Sequence, residues 1–426
     1  MSTISRRTFN RLVAASGAVA AASLAAPGIV RAAGSRVVVI GGGFGGATAA
    51  RYLKKFDPSI NVTLVEPSTT YLTCPFSNTI LGGLHPMSFL QQNFNSHKAL
   101  GVTMIHDLAV KVDAAKKQVT LASGKTLAFD RCVVSPGIDF KWGAVKGADQ
   151  AIIEKIPHAW KAGPQTSLLR KQLEAMKDGG TFLISPPPNP FRCPPGPGER
   201  ISMVAHYLKQ HKPKSKIVVL DPKKSFSKQG LFLEGWKKLY PGMIEYRNID
   251  KDGTVREVLA DKKTLITDFG EVKGDVINFI PPQKAGAIAH QAGLADASGW
   301  CPVDHRTFES TIHESVHVIG DASIASPMPK SGFSASTQAK VCAAAIAEML
   351  RGNAPGTPKF VNTCYSLVGP DYGISVAAVY GFDGQKIVSI KGAGGLSPSG
   401  SADDFHQREA LYADGWYRSI TKDIWG

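Results

Sequence analysis

Arg36-Val37-Val38-Val39-Ile40-Gly41-Gly42-Gly43-Phe44-Gly45-Gly46 is the stretch whose reading decides the fold. A short β-branched run ends in glycines, and the helix-favouring residues Ala47 to Lys55 follow. Asn61 to Val65 is a second β-branched run, closed by Glu66. Strand, glycine turn, helix, strand and acid stand in the order of a βαβ dinucleotide-binding unit. Gly41 makes the turn, Gly43 admits a pyrophosphate to the backbone N–H groups, and Gly46 lets helix and strand approach closely. Glu66 is placed to accept hydrogen bonds from the adenosine ribose hydroxyls.

Asp130 to Gly137 reads as a strand running into a turn, and a helical stretch from Thr166 to Lys177 leads to a second βαβ pattern. Its strands are Thr181 to Ser185 and Ile217 to Leu220, the latter ending in Asp221, with a helix from Ile201 to Gln210 between them. The first turn of this unit carries seven prolines between Pro186 and Pro197. Proline has no N–H and fixes φ, so the segment is a poor phosphate cradle. Cys193 stands in it, a thiol where a second nucleotide site would hold its phosphates. Downstream, Asp275 to Ile280 returns the chain toward the first unit, and Val316-His317-Val318-Ile319-Gly320-Asp321 is an apolar strand ending in Gly-Asp. A helix from about Ser334 to Leu350 follows. Strand, Gly-Asp and helix resemble the pattern of FAD-dependent disulfide reductases, which together with the first unit implies FAD rather than NAD; in that pattern the helix N-terminus favours negative charge on the reduced ring.

After Pro355 the composition shifts. Strands are expected at Val361 to Ser375 and Val376 to Ile390, with a turn at Gly381-Phe382-Asp383-Gly384. A flexible stretch from Gly392 to Ser401 and an amphipathic helix from Asp404 to about Thr421 complete the chain. The expected fold class is α/β, two Rossmann-like domains plus a smaller α+β C-terminal domain. The boundaries read as 1–33 for an export signal, 34–150 with 274–352 for the FAD domain, 151–273 for the domain carrying Cys193, and 353–426 for the C-terminal domain.

The hydrophobic content of 43% and charged content of 19% are those of a globular protein, and 426 residues allow two or three cores. Ser5-Arg6-Arg7-Thr8-Phe9-Asn10, an Ala-rich run from Leu12 to Ala26 and Ala32-Ala33 read as a twin-arginine export signal, with the periplasm as destination. The Ala-rich run is short and weakly apolar, so the mature chain is expected to carry no integral membrane segment. Removing the signal lowers the formal charge from +15 to +11. Lysines and arginines are dispersed and form no basic helix or finger, which argues against a nucleic-acid partner. Six cysteines in an oxidising compartment allow disulfides, in any of 15 full pairings. None has metal-site spacing, and no C-x-x-C-H occurs, so any c-type haem must sit on a partner. Cys132 and Cys342 read as buried small hydrophobes, and Cys301 beside Trp300 as core.

Further segments carry a resemblance: Tyr71-Leu72-Thr73-Cys74 with Ser77-Asn78; Pro157 to Gly163; Phe191 to Pro197 with Glu199-Arg200; Trp300 to Asp304; Gly320 to Ala325; and Asn362 to Ser366. They resemble the flavoprotein subunits of flavocytochrome c sulfide dehydrogenases, two-domain flavoproteins of the pyridine-nucleotide–disulfide reductase fold. The resemblance implies FAD joined by an 8α-thioether to Cys74, and a redox-active disulfide between Cys193 and Cys364. It places Glu199 near the ring, and Gly320, Asp321 and Lys330 at the cofactor. It also implies hydrosulfide as substrate and a c-type cytochrome as partner in a heterodimer. Chemically, hydrosulfide attacks a disulfide, leaving a persulfide on one sulfur and a thiolate on the other. Glu199 is a candidate proton acceptor, or alternatively an acid favoured near a helix start. Two other readings compete, a sulfide:quinone oxidoreductase-like enzyme and an electron-transfer subunit without sulfide activity of its own.

Overall fold

The computed structural model of the chain describes residues 34–426, so the export signal read at 1–33 lies outside the described residues. The first sheet has five parallel strands in the order Val316–Val318, Arg131–Val134, Arg36–Ile40, Asn61–Val65 and Thr103–Ile105. Its strands are nearly continuous Val, Ile and Leu because parallel strands are covered on both faces; Val37, Val39, Leu64 and Val133 are fully buried. The Phe44–Phe56 and Gly332–Leu350 helices pack against each other. The small residues Ala47, Ala50, Ala339 and Ala343 keep that contact close, all four being fully buried. Leu53 at 0% exposure adds about 2 kcal/mol of apolar burial. Cys132, Cys301 and Cys342 are fully buried in the same core, as their apolar surroundings in sequence suggest.

The second sheet is also parallel, in the order Ile244–Arg247, Lys216–Leu220, Thr181–Ser185 and Val276–Phe279. This moves one expected boundary. Val276–Phe279 pairs with Thr181–Ser185 in the second sheet, so the chain leaves that domain after Phe279 rather than at 273–274. All four residues of the strand are buried there.

The helix after the proline-rich loop also begins earlier than Ile201. It spans Gly196–His211, with Pro195 as N-cap and Pro197 in its first turn. Proline is tolerated there because the first N–H groups of a helix have no partner within it. Cys193 therefore lies just before a helix N-terminus.

The C-terminal unit is a three-stranded antiparallel sheet, Lys359–Gly369, Tyr372–Phe382 and Ile387–Leu396, against the long helix Asp403–Trp425. The first hairpin turns at Pro370-Asp371, inside the run read as one strand from Val361 to Ser375. The stretch expected to be flexible from Gly392 enters the third strand. Gly394 serves close pairing there, since a Cβ on it would meet the Ala377 carbonyl oxygen at 2.3 Å.

Candidate active site

Two adjoining cavities run between the sheets' loops. The first, about 300 Å³, is lined by Gly41, Gly43, Glu66, Tyr71, Ser135, Gly320 and Asp321 among others. Its floor is the glycine turn. Gly41 has φ +97° and a Cβ there would meet the Ser135 carbonyl oxygen at 2.3 Å; a Cβ on Gly46 would fall 1.8 Å from the Gly41 carbonyl oxygen. Close approach of helix and strand therefore forbids any side chain at either position. Gly46→Ala is expected to destabilise the fold by roughly 3 kcal/mol or more and to lower the flavin-to-protein absorbance ratio of the purified chain.

Glu66 fixes this turn directly. Its Oε2 accepts from the Gly42 N–H at 2.8 Å and its Oε1 from the Ser68 N–H at 3.0 Å. Asp321 carries a buried Oδ1 with no hydrogen-bond partner, facing the same cleft. Burial pushes its carboxyl above the usual range, against Arg192 and Lys330 nearby. An orphaned acceptor opposite a glycine turn fits a dinucleotide whose sugar hydroxyls donate to it. Gly320, at φ +73°, makes the turn that presents it, and its N–H is held by Gln338 Oε1 at 2.8 Å. Lys330 lies beside this turn. Its Nζ donates to the carbonyls of Asp321 and Ser323 at 2.8 and 2.9 Å and lies 3.8 Å from the Trp300 ring centroid. It lines a separate hollow with Trp300 and Phe191. With its donors taken by backbone and ring, Lys330 braces the Asp321 turn.

The second cavity is lined by Cys193, Cys364, Glu199, Trp160, Phe333, Trp416 and others, and it shares Cys74, Pro75, Arg192 and Gly332 with the first. Cys74 thus sits at the junction, its Sγ 3.7 Å from the Trp160 carbonyl oxygen. The N-terminus of the Gly332–Leu350 helix opens on the same space, capped by Ser331 accepting from the Ser334 N–H at 3.1 Å. The residues lining the two cavities fit a flavin dinucleotide.

Cys193 has φ +59°, uncommon for a residue with a side chain. Its N–H donates to the Lys330 carbonyl at 2.7 Å, and its own carbonyl accepts from the Gly196 N–H at 2.8 Å. Gly196 is required here, because a Cβ would come within 2.9 Å of the Cys193 Sγ. Cys364 comes from the Lys359–Gly369 strand of the C-terminal sheet. Distant chain segments therefore bring both thiols to one cavity. They are unpaired thiols, as are all six cysteines. After burial, Cys364 is the foremost charge disfavouring the thiolate at Cys193. Burial raises both thiol pKa values.

Glu199 is not a simple helix-start acid. Its Oε1 accepts from the Leu367 N–H at 3.0 Å and its Oε2 from Asn78 Nδ2 at 3.0 Å, joining its own helix, the C-terminal sheet and the short Ser77–Gly82 helix after Cys74. Burial raises its pKa against these bonds and nearby Lys228, so the carboxyl holds a proton more readily than a free one. The rest of the wall was less legible in sequence. Arg200, at 2% exposure, donates to Asn78 Oδ1, Asn278 Oδ1 and the His158 and Ala159 carbonyls, and its guanidinium stacks 4.7 Å from the Trp160 ring centroid. Lys228 reaches the Cys364 strand from the head of another helix. Only the Ser77-Asn78, Trp160 and Glu199-Arg200 segments gave a sequence signal; nothing local marks Lys228. Among the described residues, no cluster of His, Cys, Asp and Glu is arranged to hold a metal ion.

Comparison with known proteins agrees with this geometry. Residues 35–163 match the pyridine nucleotide-disulphide oxidoreductase family. Residues 166–281 match the central region of the sulfide dehydrogenase [flavocytochrome c] flavoprotein chain, and 356–425 the flavocytochrome c sulphide dehydrogenase flavin-binding family. The flavoprotein chain of this enzyme from Chlorobaculum thiosulfatiphilum is 71% identical over 45 residues, covering 11% of this chain and 94% of that sequence. The sulfide-quinone reductase of Aquifex aeolicus is 24% identical over 80% of this chain and 83% of its own length. The mitochondrial sulfide:quinone oxidoreductase of Dictyostelium discoideum is 23% identical over 72% of this chain and 69% of its own length. The solved Aquifex aeolicus sulfide:quinone oxidoreductase superposes with a TM-score of 0.67 at 18% identity, over 91% of this chain and 92% of that one. Glycine turn, flanking cavities and matched segments all lead to one family: the chain belongs to the flavoprotein chains of flavocytochrome c sulfide dehydrogenase.

Proposed function

We propose that the chain is a flavin-dependent sulfide oxidoreductase that oxidises hydrosulfide through Cys193 and Cys364 and passes electrons to a c-type cytochrome. The observation that carries the reading is the convergence of two thiols and Glu199 on a cavity continuous with a dinucleotide cleft. Gly41, Gly43 and Gly46 would hold the pyrophosphate, Glu66 and Asp321 the sugar and ribityl side, and Cys74 the ring. FAD supplies, when bound, a two-electron acceptor that returns electrons singly.

This chain's own residues do the sulfur chemistry. Cys193 and Cys364 form a disulfide in the oxidised enzyme, and hydrosulfide attacks one of its sulfurs. Glu199 Oε2 takes the substrate proton, a task suited to a carboxyl whose pKa burial has raised. The wall of Trp160, Phe333 and Trp416 limits water around the reacting sulfurs. A thioether from Cys74 would anchor the flavin at the junction where that thiol lies. Acid precipitation tests the tether: yellow colour is expected in the pellet, and colour in the supernatant contradicts it.

A cytochrome partner is favoured by the chain's lack of a C-x-x-C-H sequence, with the twin-arginine stretch Ser5 to Asn10 directing export to the periplasm. A quinone acceptor is the second reading, favoured by the long matches to sulfide:quinone oxidoreductases. Among the described residues no helix is long and apolar enough to cross a membrane, and the Asp403–Trp425 helix carries Arg408–Asp404 and Arg418–Asp414 ion pairs on its surface. Supplying sulfide with either a c-type cytochrome or a short-chain quinone separates the two. Faster reduction of the cytochrome is expected; faster reduction of the quinone overturns the acceptor.

A further inference from the structure

One buried cation from outside the proline-rich loop bonds to the strand that carries Cys364. Lys228 is 5% exposed and adopts φ +62° at the head of the Gln229–Leu239 helix. Its Nζ donates to the Cys364 carbonyl at 3.3 Å, to Ser366 Oγ at 2.8 Å and to the Ile374 carbonyl at 3.3 Å. All three acceptors are neutral, so its donors are satisfied while its charge is not balanced by any of them. Two of the three lie on the Cys364 strand, which ties the ammonium to that cysteine in particular.

The ionisable groups facing Lys228 are Cys364, then Glu199, Cys193 and Glu409. Burial lowers the lysine's pKa, and an anion at Cys364 is the foremost influence opposing that. The two thiols are not equivalent in this field. At Cys364, Lys228 is the foremost charge, favouring the thiolate, with Glu199 opposing it. At Cys193, the foremost charges are Cys364 and Glu199, which oppose the thiolate, with Arg192 and Lys228 favouring it less. Arg200 sits behind the same wall and senses Cys193 and Glu199.

We propose that Lys228 is the positioning residue that makes Cys364 the leaving thiolate, so that hydrosulfide bonds to Cys193. The inference rests on the disulfide reading of the proposed function and gives it a direction. In the step, a bond forms between the hydrosulfide sulfur and Cys193 Sγ while the Cys193–Cys364 S–S bond breaks. Its electron pair leaves with Cys364 as thiolate, held beside the Lys228 ammonium. The substrate sulfur is oxidised to the persulfide level, Cys364 is reduced, and the substrate proton passes to Glu199. A sulfur leaves faster when its thiolate is stabilised, and this selects which of the two bridged sulfurs is attacked.

The test is alkylation of the reduced, full-length flavoprotein by iodoacetamide across pH, with peptide mapping of each cysteine. In the unsubstituted protein, Cys364 is expected to become reactive at lower pH than Cys193. Lys228→Met is expected to slow Cys364 alkylation about tenfold at a fixed pH below its midpoint, and Lys228→Arg to restore most of it. An unchanged Cys364 profile in Lys228→Met, or Cys193 reacting at the lower pH in the unsubstituted protein, overturns the role of Lys228. The unsubstituted comparison stands even where Lys228→Met fails to fold. Anaerobic sulfide addition to the oxidised protein, followed by alkylation and mapping, reads the direction of attack. An extra sulfur on Cys193 supports it, and one on Cys364 overturns it. An extra sulfur on neither cysteine, with the pH profiles as expected, overturns the sulfide reading itself while the Lys228–Cys364 pairing stands.

Discussion

Replacing Cys193 or Cys364 by serine lowers sulfide-dependent acceptor reduction by roughly 10³-fold or more, and replacing both is no worse than replacing one. In the proposed mechanism the two sulfurs act as a unit, so removing either would remove the disulfide on which hydrosulfide acts. Neither thiol lines the nucleotide cleft, so FAD content stays near that of the unsubstituted chain. Steady-state reduction assays with flavin spectra on the same samples check both halves. Sulfide activity retained by both single variants contradicts the role given to these cysteines.

Arg200→Met is the second large effect, and it acts on stability. The guanidinium satisfies two amide oxygens, Asn78 and Asn278, and two carbonyls, His158 and Ala159, at a nearly solvent-free position. Methionine replaces its packing against Trp160 but none of its donors. Orphaning several buried acceptors at once costs about 3–5 kcal/mol. The same change moves the local pH response. His158, whose Nδ1 accepts from the Trp160 N–H at 3.0 Å, is held neutral with its pKa pushed down to about 3 by burial first and the Arg200 charge second. A depressed histidine pKa makes the fold lose stability as pH falls from the ordinary histidine range toward that value. Removing Arg200 takes away one cause of the depression, so that loss on acidification is expected to be smaller in Arg200→Met. Thermal midpoints at neutral pH and near pH 5 measure both effects. A neutral-pH midpoint within a degree or so of the unsubstituted protein would contradict the structural weight given to Arg200.

What the sequence revealed follows from how local each determinant is. The Gly41, Gly43 and Gly46 turn and Glu66 lie within one βαβ unit, and the strands Arg36–Ile40, Asn61–Val65 and Thr181–Ser185 fall where they were read. The start of the Gly196–His211 helix was hidden because prolines, which usually end helices, occupy the one place where they begin them. The end of the third C-terminal strand, beyond Ile390, was hidden because a glycine such as Gly394 that admits a close neighbouring strand looks the same in sequence as one that confers flexibility. The strand Val276–Phe279 was assigned to the wrong sheet, since an apolar run does not say which partner it will find. At the site, Cys193, Cys364 and Glu199 were named from segments that resemble a family, but their meeting in one cavity is tertiary. Lys228, in a stretch with several lysines, becomes distinctive only once the C-terminal sheet folds over it. The bonds of Lys330 to the Asp321 and Ser323 carbonyls are likewise tertiary.

Anaerobic titration of the oxidised flavoprotein with sulfide, followed by its visible absorbance, tests the central claim most directly. The account predicts bleaching of the flavin by stoichiometric sulfide, with no bleaching in Cys193→Ser or Cys364→Ser. An unchanged flavin spectrum in the unsubstituted protein would contradict it.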